Sequence, residues 1–241
     1  YEEKFYGPIT LREALAHSRN VATVKLLERI KVRNVIDFAK KVGISSPLTD
    51  DLSLALGSSG IGLLELTSAY SVFANQGLRA EPYAIREIRD KDGNILESHE
   101  AELTEVIPKE TAYIITNMME DVIEHGTGSM AKVLKRPLAG KTGTTNEFTD
   151  AWFIGYSPNH VAGVWVGFDD MRSLGDREAG AGAALPIWIS YMKGALDILP
   201  FESFSIPEDI VFARVDPENG LLASEGTEKA VTEVFVRGKE P

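Results

Sequence analysis

The chain has 241 residues, 44% hydrophobic and 25% charged, the usage of an ordinary folded protein with a buried core. Its formal charge of −11 repels phosphate backbones and anionic lipid headgroups, so nucleic acid is not expected as a partner. With no cysteine, disulfides, thiolate catalysis and cysteine-based metal sites are excluded. The four histidines (His17, His99, His125, His160) make no zinc-binding spacing, so no metal or other cofactor is expected.

Thr10-Leu11-Arg12-Glu13 has the pattern of a capping box and predicts a short helix. Asn20–Ile30 follows with Val21, Val24, Leu27 and Ile30 at helical spacing. A second amphipathic stretch carries Val32, Val35, Ile36, Ala39 and Val42, with Gly43 as its left-handed stop. The Gly- and Ser-rich run 53–62 reads as a loop. Residues 63–76 read as a helix closed by Gly77. Two strands, 83–89 and 95–97, flank a turn at Lys91-Asp92-Gly93-Asn94.

Pro108 opens a further helix through His125, ended by Gly126-Thr127-Gly128. Three short strands at 138–144, 151–156 and 161–168 are separated by turn-length gaps and predict an antiparallel meander. A helix over 186–199 and a β-leaning tail after Pro200 (210–215, 231–236) complete the chain. No apolar run approaches the length of a membrane span. The order predicts an α+β fold with a central antiparallel sheet flanked by helices.

Chemistry concentrates in two short runs. Lys141-Thr142-Gly143-Thr144-Thr145 lies on the first strand of the meander. The Lys141 ammonium supplies a positive charge, and strand alternation turns the Thr142 and Thr144 hydroxyls to one face. Together they suit a carboxylate held by charge-assisted hydrogen bonds. Gly143 removes a side chain where a substrate backbone approaches, and the Thr144 amide is available to a developing oxyanion. Ser18-Arg19-Asn20 falls between two helices, where the hydroxyl can relay a proton and the amide of Asn20 can hold a substrate amide. Blander readings stand beside these. Lys141 can be a solvated strand lysine, and Ser18 and Asn20 can end one helix and start the next. Asp150 and Trp152 read as structural, the tryptophan as a core residue.

The two runs resemble the second and third motifs of the penicillin-recognising serine transferases and hydrolases, S-D-N (here Ser-Arg-Asn) and K-T-G. The resemblance is long. FYGPITLREALAHSRNVATVKLLE, ALGSSGIGLLELTSAYSVFANQG, the triplet Gly126-Thr127-Gly128, and AGKTGTTNEFTDAWFIGYSP with VWVGFDD are all similar to the transpeptidase domain of class A (bifunctional) penicillin-binding proteins. They run in that family's order from near residue 5 to about residue 200. The resemblance implies residues 1–200 as the transpeptidase domain, and residues 201–241 resemble the extension that follows it.

One departure matters. The family's S-x-x-K motif bears the nucleophilic serine and should precede Ser18 by several dozen residues, yet only 17 stand before it. Ser129-Met130-Ala131-Lys132 matches in letters but follows Ser18, and Ser157-Pro158-Asn159 is a chance S-x-N in a turn. The nucleophile is therefore expected upstream of Tyr1, and the domain is expected to be incomplete at its N-terminus and inactive alone.

The resemblance implies a serine-type D-Ala-D-Ala transpeptidase that cross-links peptidoglycan stem peptides through an acyl-enzyme and binds β-lactam antibiotics. Ser18 and Lys141 would assist proton transfer and Asn20 would bind the substrate amide. Thr142 and Thr144 would bind the terminal carboxylate, with Gly143 and Thr145 part of the same binding strand. An upstream glycosyltransferase domain and a membrane anchor are implied, on the outer face of the bacterial cytoplasmic membrane. Two alternatives stay open: a non-catalytic module that binds peptidoglycan or a partner, and a D,D-carboxypeptidase or β-lactam hydrolase on the same fold.

Overall fold

The structure is a computed structural model that describes residues 6–145, 148–175, 179–227 and 229–241. Of the stretches that carry the resemblance, Phe5, Asn146 and Glu147 lie outside these residues.

The N-terminal part is helical: α1 (Leu11–Ala16), α2 (Asn20–Ile30), α3 (Val32–Lys41) and α4 (Leu63–Ala74). Thr10 caps α1 as its pattern predicts, its side chain accepting the Glu13 amide at 3.1 Å. Gly43, at φ +105°, ends α3, and the Ile44 amide returns to Ala39 O at 2.9 Å. The loop expected over 53–62 departs from expectation at its start. Leu52–Leu56 winds into a 3₁₀ turn because Asp51 accepts the Ser53 amide at 2.7 Å and opens it. The hydroxyl of Ser58 then bonds both Ser53 and Thr49, so a local hydroxyl cluster shapes the rest.

The next segment holds four short strands: β1 (Leu78–Ala80), β2 (Glu87–Arg89), β3 (Ile95–Ser98) and β4 (Leu103–Glu105). β2 and β3 form the hairpin expected around the Gly93 turn, with Asp90 accepting the Asp92 and Asn94 amides at 2.9 Å. The strand expected over 83–89 is shorter, starting only at Glu87. The β1–β4 pair was not expected. Three residues are too few to show an alternating pattern.

The central sheet is β5 (Ala139–Thr144), β6 (Asp150–Ser157) and β7 (His160–Gly167), in that order and antiparallel. Its register pairs Thr142 with Phe153 and Phe153 with Val164, and pairs Lys141 with Ile154 and Ile154 with Gly163. One face therefore carries Thr142, Thr144, Phe153 and Val164, and the other carries Ala139, Lys141, Ile154 and Tyr156.

On the first face lies α6 (Leu185–Asp197), entered through a π turn at Gly180–Ala184. Trp188 is fully buried there, edge-on to Phe153 at 4.9 Å, with its indole N–H on Ala162 O at 3.0 Å. A Cβ on Gly155 would stand 2.8 Å from the Trp188 ring, so glycine is what lets the helix lie this close. The core tryptophan is thus Trp188, not Trp152. Trp152 is half-buried on the opposite face, 6.3 Å from Trp165.

On the second face, α5 (Lys109–Glu124) and α4 bury Tyr156 with Met119, Tyr70 and Phe73. The Tyr156 hydroxyl is satisfied by Thr116 Oγ1 at 2.9 Å. Side chains such as Trp188 and Phe153 each contribute about 1.5–3 kcal/mol on burial, which makes this sheet a firm platform. The tail forms an antiparallel hairpin, β8 (Ile210–Val215) with β9 (Val231–Val236), packed on α5 through Tyr113, Ile210 and Val234. Among the described residues no helix is long and apolar enough to cross a membrane.

Candidate active site

Ser18 reaches the site through the way α1 ends. His17 is the last cap residue, Ser18 takes φ +54°, and two amides turn back: Arg19 N–H to Ala14 O at 2.8 Å and Ser18 N–H to Leu15 O at 3.2 Å. This is the Schellman arrangement, with serine in the left-handed position that glycine usually takes. A side chain there costs about 1–3 kcal/mol of backbone strain, and such residues gather at functional sites. The turn presents Ser18 Oγ to Lys141.

Lys141 lies on β5, the strand at one edge of the sheet. Its ammonium donates to Ser18 Oγ at 2.9 Å, to Thr142 O at 3.0 Å and to Thr142 Oγ1 at 3.4 Å. Burial pushes the lysine down from its ordinary value to about 8.

The open edge of β5 can be deduced from two bonds. The Thr145 amide donates to Asp150 O across β6 at 3.1 Å, so odd-numbered residues of β5 face inward. The Thr142 carbonyl accepts from Lys141, on the other side. In an antiparallel ladder the N–H and C=O of one residue share a side and successive residues alternate. The backbone groups of Thr142 and Thr144, including the Thr144 amide, are therefore directed to the open edge.

The two hydroxyls of that edge are organised. Thr144 Oγ1 accepts the Gly180 amide at 3.0 Å, which leaves its own proton available. Thr142 Oγ1 lies 2.7 Å from Thr127 Oγ1. Thr145 turns inward instead: its hydroxyl accepts the Asp150 amide at 2.8 Å and bonds Thr149 at 2.7 Å, closing the β5–β6 connection. Beside Gly143 stands Trp152, whose Cβ would be 3.0 Å from an added Cβ. The backbone of Gly180 lies against Gly143 O and Trp152 O.

Asn20 is the first residue of α2, exposed, while Arg19 occupies the cap position without a side-chain cap bond. The Asn20 side chain has no partner among the described residues. Asn20 starts the helix, as its bland reading has it, but does not cap it. Asp150, read as structural, accepts the Trp165 indole N–H at 2.7 Å. The letter match Ser129-Met130-Ala131-Lys132 forms a 3₁₀ turn, and Lys132 Nζ goes to Glu124 O at 3.1 Å, not to Ser129. Sequence reasoning passed over Thr127 and Gly180, which hold the two threonine hydroxyls. Gly126-Thr127-Gly128 was legible as a helix stop and as part of the family resemblance, but no role for the Thr127 hydroxyl was read from it. A cavity of about 350 Å³ between α5 and the β8–β9 hairpin, lined by Arg12, Asn117, Glu120 and Phe212 among others, contains none of the predicted site residues.

The penicillin-binding protein transpeptidase domain family matches residues 1–185, and the C-terminal domain of penicillin-binding protein 1A matches residues 206–241. Penicillin-binding protein 1A of Aquifex aeolicus is 46% identical over all of this chain, which covers 33% of that protein. Penicillin-binding protein 1A of Pseudomonas aeruginosa is 38% identical over 98% of the chain, which covers 35% of it. The chain thus spans about a third of the length of these curated relatives. The crystal structure of penicillin-binding protein 1A from Haemophilus influenzae superposes with a TM-score of 0.92 at 31% identity, covering 99% of this chain and 41% of that one. PonA1 of Mycobacterium tuberculosis, solved in complex with penicillin V, superposes with a TM-score of 0.70 at 25% identity, covering 82% of this chain and 59% of that one. The chain belongs to the penicillin-binding protein transpeptidase family, with a tail of the penicillin-binding protein 1A C-terminal type.

Proposed function

We propose that this chain is the larger part of a D,D-transpeptidase domain that cross-links peptidoglycan stem peptides through a serine acyl-enzyme and is blocked by β-lactams. The observation that carries the reading is the 2.9 Å bond between Lys141 Nζ and Ser18 Oγ, which brings the two motifs together at the open edge of β5. In this reading a substrate's terminal carboxylate lies along that edge, bound by the Thr142 and Thr144 hydroxyls and the Lys141 charge. The Thr144 amide donates to the oxyanion of the tetrahedral intermediate, a contact whose loss costs about 100–1,000-fold in rate. Ser18, held by Lys141, passes a proton to the leaving amine. Asn20, whose side chain has no partner among the described residues, holds the substrate amide. Residues 1–200 form this domain and 201–241 its extension.

The nucleophilic serine and its lysine are supplied by residues outside this sequence, since Lys132 is turned away from Ser129 and Ser18 is the hydroxyl that Lys141 holds. The whole protein then carries an upstream glycosyltransferase domain and a membrane anchor and works on the outer face of the cytoplasmic membrane.

Fluorescent penicillin tests the reading. The full-length polypeptide should give a stable covalent adduct, and residues 1–241 alone should give none. An adduct on the short chain overturns the placement of the nucleophile. No adduct on the full-length polypeptide overturns the penicillin-binding reading and leaves a binding module. Rapid release of the label as hydrolysed product identifies a β-lactam hydrolase.

A further inference from the structure

Thr127 stands where three elements meet that the sequence does not relate. The turn Gly126-Thr127-Gly128 follows α5. The Thr127 amide donates to Ala16 O at 3.1 Å, at the end of α1 and two residues before Ser18. Gly126 has no room for a side chain, because a Cβ would stand 2.2 Å from that same Ala16 oxygen. Gly128 donates to Val122 O at 2.9 Å, and a Cβ on it would stand 2.9 Å from Ile123 Cδ1. The turn is thus wedged between the ends of α1 and α5. So held, it places Thr127 Oγ1 2.7 Å from Thr142 Oγ1.

The direction of that hydrogen bond decides what Thr142 can offer a ligand. A threonine hydroxyl has one proton and two lone pairs. Lys141 Nζ, at 3.4 Å, can only donate to Thr142 Oγ1 and takes one lone pair. If Thr142 donates to Thr127, its proton is tied up inside the protein. If Thr127 donates, Thr142 accepts twice and its proton is free to point outward. Two residues along the same face, Thr144 shows the second arrangement with its direction fixed, because the Gly180 amide can only donate to it. A carboxylate can only accept, so a ligand anion at this edge selects the matching arrangement at Thr142.

We propose that Thr127 is a positioning residue for anion recognition. With a carboxylate-bearing ligand on the open edge of β5, its hydroxyl donates to Thr142 and turns the Thr142 proton toward the ligand. This rests on the proposed function, in which that edge receives a terminal carboxylate.

The test measures acylation rates of the full-length polypeptide with benzylpenicillin and with its methyl ester, which lacks the anion. Thr127→Val should slow the acid about tenfold and change the ester little, as expected when one hydrogen bond to a charged group is misdirected. Thr127→Ser should restore the acid rate. Thr142→Val should show the same selective loss, and Thr127→Val added to it should cost nothing more. Equal slowing of acid and ester, or no effect on either, overturns the inference while the proposed function stands. Thr127→Ala is measured in parallel. If circular dichroism shows both it and Thr127→Val unfolded, the role is structural and the inference fails. If the unsubstituted polypeptide reacts with neither probe, the penicillin-binding reading has failed and this inference falls with it.

Discussion

Lys141 holds three oxygens with one ammonium, and burial makes that charge costly to keep. Its folded value of about 8 lies below the ordinary lysine value of 10.5. Between these values the unfolded chain binds the proton and the folded chain releases it, so stability from this group rises with pH across that window. Below about 8 both states are protonated, and the burial penalty is fully present. The stability of wild type relative to Lys141→Met should therefore improve between pH 8 and 10.5, measured by denaturant unfolding. A flat or falling difference would remove the desolvated ammonium from the account. At this scale the sequence was informative where residue type and strand alternation sufficed. Lys141, Thr142 and Thr144 stand together at one edge, as their order implied. Thr127 and Gly180 were hidden, because their contacts exist only after α1, α5, β5 and α6 have been brought together.

The end of α1 shows how an element can carry strain into the site. Helices that close with the bonds Arg19 N–H to Ala14 O and Ser18 N–H to Leu15 O favour glycine at the left-handed position, and here it is Ser18 at φ +54°. Replacing Ser18 by Gly or Ala removes the Lys141 contact equally, so the two variants differ in backbone strain. Ser18→Gly should be more stable than Ser18→Ala by about 1 kcal/mol in thermal or denaturant unfolding. Equal stabilities, or the reverse order, would mean the backbone at Ser18 is relaxed. Helices were legible because their apolar spacing and caps agree: Thr10 opens α1, and Gly43 and Gly77, both at positive φ, follow α3 and α4. The serine at the end of α1 gave no such signal, since composition marks a glycine stop and not a serine forced into its place. β1 and β4 escaped for a different reason. Each is three residues long, and they pair across a separation that no local pattern encodes.

At the scale of the molecule, the C-terminal hairpin is joined to the helix that presents Ser18. Arg12 of α1 donates to Glu233 of β9 at 2.9 Å and to Asn117 of α5 at 2.8 and 3.1 Å, so one guanidinium spans three elements. The Arg12 and Glu233 side chains are only 15% and 16% exposed, so solvent screens the pair weakly. Removing one partner leaves a largely buried charge without its counterion, which is worse than removing both. Arg12→Met alone should cost about 2–3 kcal/mol. The double variant Arg12→Met, Glu233→Met should cost less than Arg12→Met by itself, the signature of a coupled pair in a double-mutant cycle. Because Arg12 anchors the start of the helix whose far end turns Ser18 toward Lys141, the hairpin should unfold together with the sheet in a single transition. Additive losses, or a separate early transition for the hairpin, would show that the tail merely rests against α5 and has no part in holding α1 in place.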